Sequence, residues 1–522
     1  MKRIFIYIVS ITTAFTSLTA CKDELEDNFY NPEETTQASI GGFFTEMLDN
    51  NRVRPSYWDV RTFIAMQPGV YTQSLSFQNS STMYQQNPGY IQNRWDDFYR
   101  PGGDGGGAMA HYRAIEAAYA ALPENEKASA EVFVQAAKVV MLDEASKMVD
   151  MWGDIPFSEA GSLNLTGAVT RPKFDSAEEV YSAILTGLEE ASAFFANAQS
   201  TASFQKQDIL LSGNIDKWER YANSLRLRLL MRTSFVNEAA AREEVTEMLG
   251  NPGQYPLVDE SQYNILLAPL TNYIDNLNNA LTEINSHSAP EYMLENVLKP
   301  ANDPRIEVLF DKYGRNVSGT FQQNAEFRAM PMSFGAEEQT QRREEYAILD
   351  SATFLFNGNL PGIVITAAEV NFLKAEAFER WGGGDPEQAY ETALKQSVDF
   401  YYNLHNTSSS SRQKETPPTS EEVNAFIENP AVAYAGSQEE KLAKIWTQKW
   451  VHFGFLQSVQ SWSEYRRTGY PQLTFVPATL AGYEAPPTRL VYPSSEMAYN
   501  KENYQAVQGK DVRTGKIFWD VR

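Results

Sequence analysis

Cysteine is almost missing from this chain: one residue, Cys21, among 522. That excludes an internal disulfide framework and a thiolate metal site, so stability has to come from an apolar core. Histidine is scarce as well. None of His111, His287, His405 and His452 stands four residues from another, and no His-Glu-x-x-His run is present, which removes the helical zinc-hydrolase signature. Positive charge is in deficit, with 44 Lys and Arg against 67 Asp and Glu and a formal net charge of −23. Such a field argues against nucleic acid and against an anionic membrane surface. It also disfavours an acidic polymer, unless a local basic patch overrides the net charge. Beyond the N-terminus no segment approaches about 18 consecutive apolar residues, so no transmembrane helix is expected. The periodicities are also wrong for an outer-membrane barrel.

Catalytic patterns are missing too. Ser203 with Lys206, and Ser411 with Lys414, match the serine–lysine spacing of penicillin-recognising enzymes. Only Arg467-Thr468-Gly469 and Arg513-Thr514-Gly515 stand where a Lys-Thr-Gly element is needed. The run from Gly102 to Gly107 lacks the Gly-Lys-Ser/Thr ending of a phosphate loop. A glycosidase needs two facing carboxylates, and the many acids single out no pair. No EF-hand calcium loop occurs. No catalytic residue, metal site or cofactor is therefore expected.

What is present starts at the N-terminus. Lys2 and Arg3 precede a mostly apolar stretch from Ile4 to Ala14, too short to span a membrane. Leu18-Thr19-Ala20-Cys21 then resembles a lipobox, with a small residue before the cut and a thiol to carry lipid. Residues 1–20 read as a lipoprotein signal peptide, 21–36 as a polar lipid-anchored tether, and 37–522 as one folded domain. Each buried acyl methylene adds about 0.8 kcal/mol of membrane affinity, so several chains hold firmly. Cleavage removes two basic residues and no acid, taking the formal charge to −25. Lys22-Asp23-Glu24 resembles the surface-export signal of Bacteroidetes lipoproteins. Length alone suggests about three domains at roughly 150 residues each, but no linker supports a split; Thr407 to Ser411, followed by Pro417-Pro418, reads as a surface loop.

Helical periodicity dominates the rest. Phe133, Ala136, Ala137, Val140, Met141, Ala145, Met148 and Trp152 mark a long helix ending at Gly153. Trp218, Tyr221, Ala222, Leu225 and Leu229 mark another. Residues 366–402 read as a helical hairpin broken by Gly382-Gly383-Gly384 and restarted at Asp385-Pro386. Its alanines interleaved with aromatics resemble a tetratricopeptide repeat. A last long helix is expected from about Lys441 to Tyr465. Between these lie two loop-rich stretches, 52–104 and 312–362, whose aromatic content argues against disorder.

Several motifs then converge. Trp218 to Arg228 (WERYANSLRLR), Trp152-Gly153-Asp154-Ile155-Pro156, Asp303-Pro304-Arg305, Ala368 to Ala377 (AEVNFLKAEA), Gln448-Lys449-Trp450, Trp462 to Pro471 (WSEYRRTGYP) and Pro487 to Asn500 (PTRLVYPSSEMAYN) resemble, in order, the motifs of the SusD/RagB family. The resemblance covers nearly the whole chain. It implies a mostly α SusD-like fold with tetratricopeptide-like hairpins and a loop-rich ligand lobe. It implies a non-enzymatic, lipid-anchored, outer-membrane protein exposed at the cell surface, binding glycan and capping a SusC-like TonB-dependent transporter. A peptide-binding, RagB-like lid and a protein-docking scaffold without a small ligand are the alternatives. Trp218, Trp450 and Trp462 read as core. For the ligand, the polar, aromatic-rich stretch 52–99 offers Trp58, Tyr57, Tyr71 and Tyr84 as stacking platforms. Arg54, Asn79 and Gln85 are its hydrogen-bonding candidates, and Trp58 has the largest face. Tyr313 and Phe321 in the second stretch mark the other place where the site could lie.

Overall fold

Helix-capping side chains fix where the scaffold's helices begin. A computed structural model describes residues 39–168, 171–269, 277–412 and 414–522. Cys21, Lys22, Asp23 and Glu24, and the expected boundaries at 20 and 36, lie outside the described residues. Ser39 opens α1 (Ile40–Leu48) by accepting from the Gly42 amide, and Ser56 opens α2 (Tyr57–Thr62) by accepting from Asp59. Then follow α3 (Pro88–Tyr99), α4 (Ala108–Ala120) and α5 (Glu124–Trp152). Ser176 and Glu179 form a reciprocal capping box at α6 (Ala177–Phe195). The series continues with α7 (Ile215–Thr233), α8 (Glu238–Gly250) and the short α9 (Leu277–Thr282). Thr366 caps α10 (Ala367–Trp381), and Asp385 with Pro386 starts α11 (Pro386–Asn406). The last pair is α12 (Gln438–Phe453) and α13 (Ser458–Thr468).

Neighbours in this series pack on one another: α4 on α5, α5 on α6, α6 on α7, α7 on α10, and α10 on both α11 and α12. The result is the expected stack of helical hairpins, since each amphipathic pair leaves an apolar face that only the next pair can cover. The helix expected over 441–465 is in fact two. Gly454 sits at φ +50 between α12 and α13, a conformation that Cβ-bearing residues rarely adopt. A Cβ there would also stand 3.1 Å from the Tyr401 hydroxyl, which donates to the His452 carbonyl.

The family-like motifs meet in a buried ionic core. Arg467 donates to both oxygens of Glu376, at 2.7 and 2.6 Å, and also to Glu464. Lys449 reaches Glu464 at 2.6 Å, and Arg232 bonds Glu464 at 2.9 Å and pairs with Asp150. Arg228 forks onto Glu369, and Arg305 onto Asp303 with further bonds to Ser397 and Gln448. Six helices, α5, α7, α10, α11, α12 and α13, are pinned together by these groups. Burial alone would push the Glu376 carboxyl up, but Arg467, Lys449 and Arg380 hold it down at about 2. Trp218, Trp450 and Trp462 are buried, and the indoles of Trp218 and Trp450 donate to Asp208 and to the Thr72 carbonyl.

The stretch 52–104 is not free of helix. It holds α2, a 3₁₀ turn at Ile64–Met66, a short helix Pro68–Tyr71 and α3. The second stretch is built differently. Phe310–Asp311 pairs antiparallel with Ile348–Leu349 and closes its neck. Inside, Gly314–Val317 and Thr320–Gln323 form a hairpin in register Val317 opposite Thr320. Its two turn residues, Ser318 and Gly319, both have positive φ, as a type I′ turn requires.

Candidate ligand-binding cleft

Two elements from the two loop-rich stretches meet at α9. On one side α2 packs against it, and the Tyr57 hydroxyl and the Arg61 guanidinium both donate to Glu283, each at 2.7 Å. That fixes the half-buried Tyr57 ring, against whose face Trp58 stands edge-on at 5.0 Å. Trp58 itself remains 55% exposed. The same helix α9 lends Asn278 and Thr282 to the wall of a cleft of about 410 Å³.

One buried polar group, His287, and two half-buried ones, Asp311 and Arg343, line that cleft. His287 is only 3% exposed, and its Nδ1 has no partner. Burial, with Arg343 nearby, lowers it to about 4, so the ring is neutral at physiological pH. Asp311 accepts from the Ser351 amide at 3.0 Å, and burial together with Asp350 raises its carboxyl. Arg343 donates once, to Asn285 at 3.3 Å, and its Nε has no partner.

The rim is aromatic. Phe321, on the outer strand of the 314–323 hairpin, is 56% exposed, and Phe356 is 43% exposed. Tyr313, just before the hairpin, also lines the cleft. Phe356 is held out by a chain of contacts from the scaffold. His405 on α11 bonds Asp350 at 2.9 Å, and Asp350 caps the single π-helical turn Ser351–Leu355, which ends at Phe356. Single π turns of this kind are frequent at functional sites. Arg412 is exposed and lies 5.9 Å from the centre of the Phe356 ring.

The residues singled out from sequence divide sharply. Tyr57 and Trp58 lie on α2, which packs against α9, and neither lines the cleft itself. Tyr71 and Tyr84 do not serve as platforms: both are 0% exposed. Tyr71 packs 5.2 Å from Trp462, and Tyr84 donates to the Val476 carbonyl at 2.9 Å. Arg54 is buried, giving its Nε to the Ala268 carbonyl and pairing with Asp49. Asn79 is a structural tie, donating to the carbonyls of Met332 and Phe334 at 2.6 and 2.7 Å. Gln85 is exposed but does not line the cleft. Phe356, Arg343, Arg412, His287 and Asp311 carried no sequence signal of their own. Among the described residues no group of three or more His, Cys, Asp or Glu side chains could hold a metal ion, and no helix is long and apolar enough to cross a membrane.

The fold has solved counterparts. A SusD homologue from Bacteroides fragilis aligns at a TM-score of 0.72 with 21% identity, covering 93% of this chain and 100% of that one. A SusD homologue from Bacteroides uniformis gives 0.69 at 22% identity, with 93% and 100% covered. A chitin-binding SusD homologue from Flavobacterium johnsoniae gives 0.70 at 23% identity, with 92% and 99% covered. No curated protein sequence matches. A family profile described as starch-binding associating with the outer membrane matches residues 32–493, nearly the whole of the helical stack and the cleft, and the chain belongs to this SusD-like family.

Proposed function

We propose that this chain is a cell-surface lipoprotein that captures oligosaccharide at the cleft beside Trp58 and delivers it to a SusC-like TonB-dependent transporter. One observation carries the reading. Phe321 and Phe356 are left exposed at the cleft, and Trp58 is exposed on α2, which packs on the same α9 that lends the cleft its wall, in a chain whose motif tryptophans are all buried. Sugars present flat C–H faces and hydroxyl rims, which flat rings and nearby amide or guanidinium donors satisfy. The carbohydrate named for the Flavobacterium johnsoniae homologue makes chitin oligosaccharides the first probe, and the family description makes starch the second. Cys21 carries the lipid, and Lys22-Asp23-Glu24 direct the protein to the outer face. The chain acts by binding, not by catalysis.

Affinity electrophoresis against chitin, starch and other glycans should show retardation with no product released. Binding to peptides and to no glycan would make the protein a peptide lid instead. A gentle detergent extract should bring down a large β-barrel partner, and recovery of this protein alone with that partner expressed would count against delivery. Cys21→Ala should abolish lipid attachment. Replacing Lys22, Asp23 and Glu24 together should leave the protein lipidated but absent from the surface of intact cells.

A further inference from the structure

The cleft has an electrostatic character opposite to that of the whole molecule. The chain carries a net charge of −23, yet among the described residues both arginines that line this cleft lack an ion-pair partner. Arg343 makes a single hydrogen bond, to a neutral amide, and keeps a buried Nε without an acceptor. Arg412 makes no ion pair among the described residues, lies over the Phe356 ring and is near enough to Asp311 to oppose the rise of its carboxyl. Elsewhere the pattern is different: Arg342, one residue before Arg343, is bonded to Glu338 and Glu345, and Arg328 to Glu345. Among the described residues the only acid lining the cleft is Asp311, which is half-buried, raised towards its neutral form by burial and Asp350, and already engaged by the Ser351 amide. His287 adds a buried ring nitrogen with no partner at the same wall. A buried donor without an acceptor costs free energy, so such groups are retained where a ligand supplies the missing acceptor. A guanidinium satisfies a planar or tetrahedral oxyanion with paired N–H donors, whereas a sugar hydroxyl takes one donor at a time.

We propose that the cleft takes a saccharide bearing an acidic substituent, a carboxylate or a sulfate, held by Arg343 and Arg412 with the sugar ring resting on Phe321 or Phe356. This rests on the glycan-binding reading and narrows it. The local pair of cations overrides the repulsion that the overall acidic charge exerts on such a ligand, and the interaction weakens as salt rises because Arg412 is exposed to solvent.

Isothermal titration of the detergent-purified full chain tests the assignment with five probes. These are hexagalacturonate, its fully methyl-esterified form, a carrageenan hexasaccharide that carries sulfate but no carboxylate, chitohexaose, and hexaglutamate. At least one of the two acidic saccharides should bind about tenfold or more tightly than the methyl ester and chitohexaose. Which of the two does so separates carboxylate from sulfate. Arg343→Gln and Arg412→Gln should each weaken that acidic ligand about tenfold and close most of the gap between it and the methyl ester. If Arg343→Gln unfolds, the exposed Arg412→Gln and the salt dependence still decide the matter. Chitohexaose or the methyl ester binding as tightly as both acidic saccharides overturns the charge assignment and leaves glycan capture standing. Binding of hexaglutamate alone, or of no saccharide at all, overturns both.

Discussion

In the helical stack, Arg467 gives its terminal nitrogens to Glu376 and Glu464, and every motif tryptophan is enclosed. In the loop-rich lobe, Arg343 has one weak bond and an idle Nε, while Trp58, Phe321 and Phe356 face outward. The same two residue types thus do opposite jobs a short distance apart in the fold. In the stack they saturate one another, which fixes helix positions and leaves nothing to offer a ligand. In the lobe they remain incomplete, and incompleteness is what a binding surface requires.

The sharpest break of this contrast is in the stack. Arg467→Ala should cost about 3–5 kcal/mol in urea unfolding, because Glu376 and Glu464 would stay buried with too few partners. A loss under about 1 kcal/mol would mean the network is dispensable. Tyr71→Ala should be nearly as severe, about 3 kcal/mol, as for other fully enclosed aromatics, and its effect on ligand affinity should follow only from stability. Acid should act next. Arg467, Lys449 and Arg380 outweigh burial and depress Glu376 to about 2, and burial near Arg305 depresses His452 to about 3. Both favour the folded state at neutral pH. The His452 contribution fades as pH falls below its ordinary value near 6.5, and the Glu376 contribution, about 3 kcal/mol, fades between roughly pH 5 and pH 2. Melting temperature measured from pH 7 down to pH 3 should therefore fall steadily; a flat profile would contradict the pairing.

In the lobe the effects are smaller and of another kind. Trp58→Ala should weaken glycan binding about 10- to 30-fold with less than about 0.5 kcal/mol of destabilisation, since its ring is half outside. Loss of stability instead would class Trp58 with the stack. Gln85→Ala should change neither affinity nor melting temperature beyond error.

Sequence periodicity exposed the stack well, because alanines and tryptophans repeating at helical spacing have few alternatives to a buried helix face. The break at Gly454 was invisible, as apolar residues keep helical period on both sides of it and only the folded backbone, with its positive φ and the approach of Tyr401, makes glycine necessary there. Tyr71 and Tyr84 looked like platforms because their sequence neighbours are polar. Their partners, Trp462 and the Val476 carbonyl, lie almost 400 residues away, beyond any local window. The cleft suffered from the same limit. Arg343, Phe356 and Arg412 are ordinary in their own segments and become a site only where the chain returns to α9.

The neck formed by Phe310–Asp311 and Ile348–Leu349 gives the lobe an entropic consequence. Everything from 312 to 347 leaves and re-enters the stack through that one short antiparallel clasp. Doubling the length of such an enclosed loop adds only about 0.6 kcal/mol of closure cost. The segment can therefore lengthen at small cost, so what fixes its conformation is not the clasp but the ties along its length, such as those from Asn79 to the carbonyls of Met332 and Phe334.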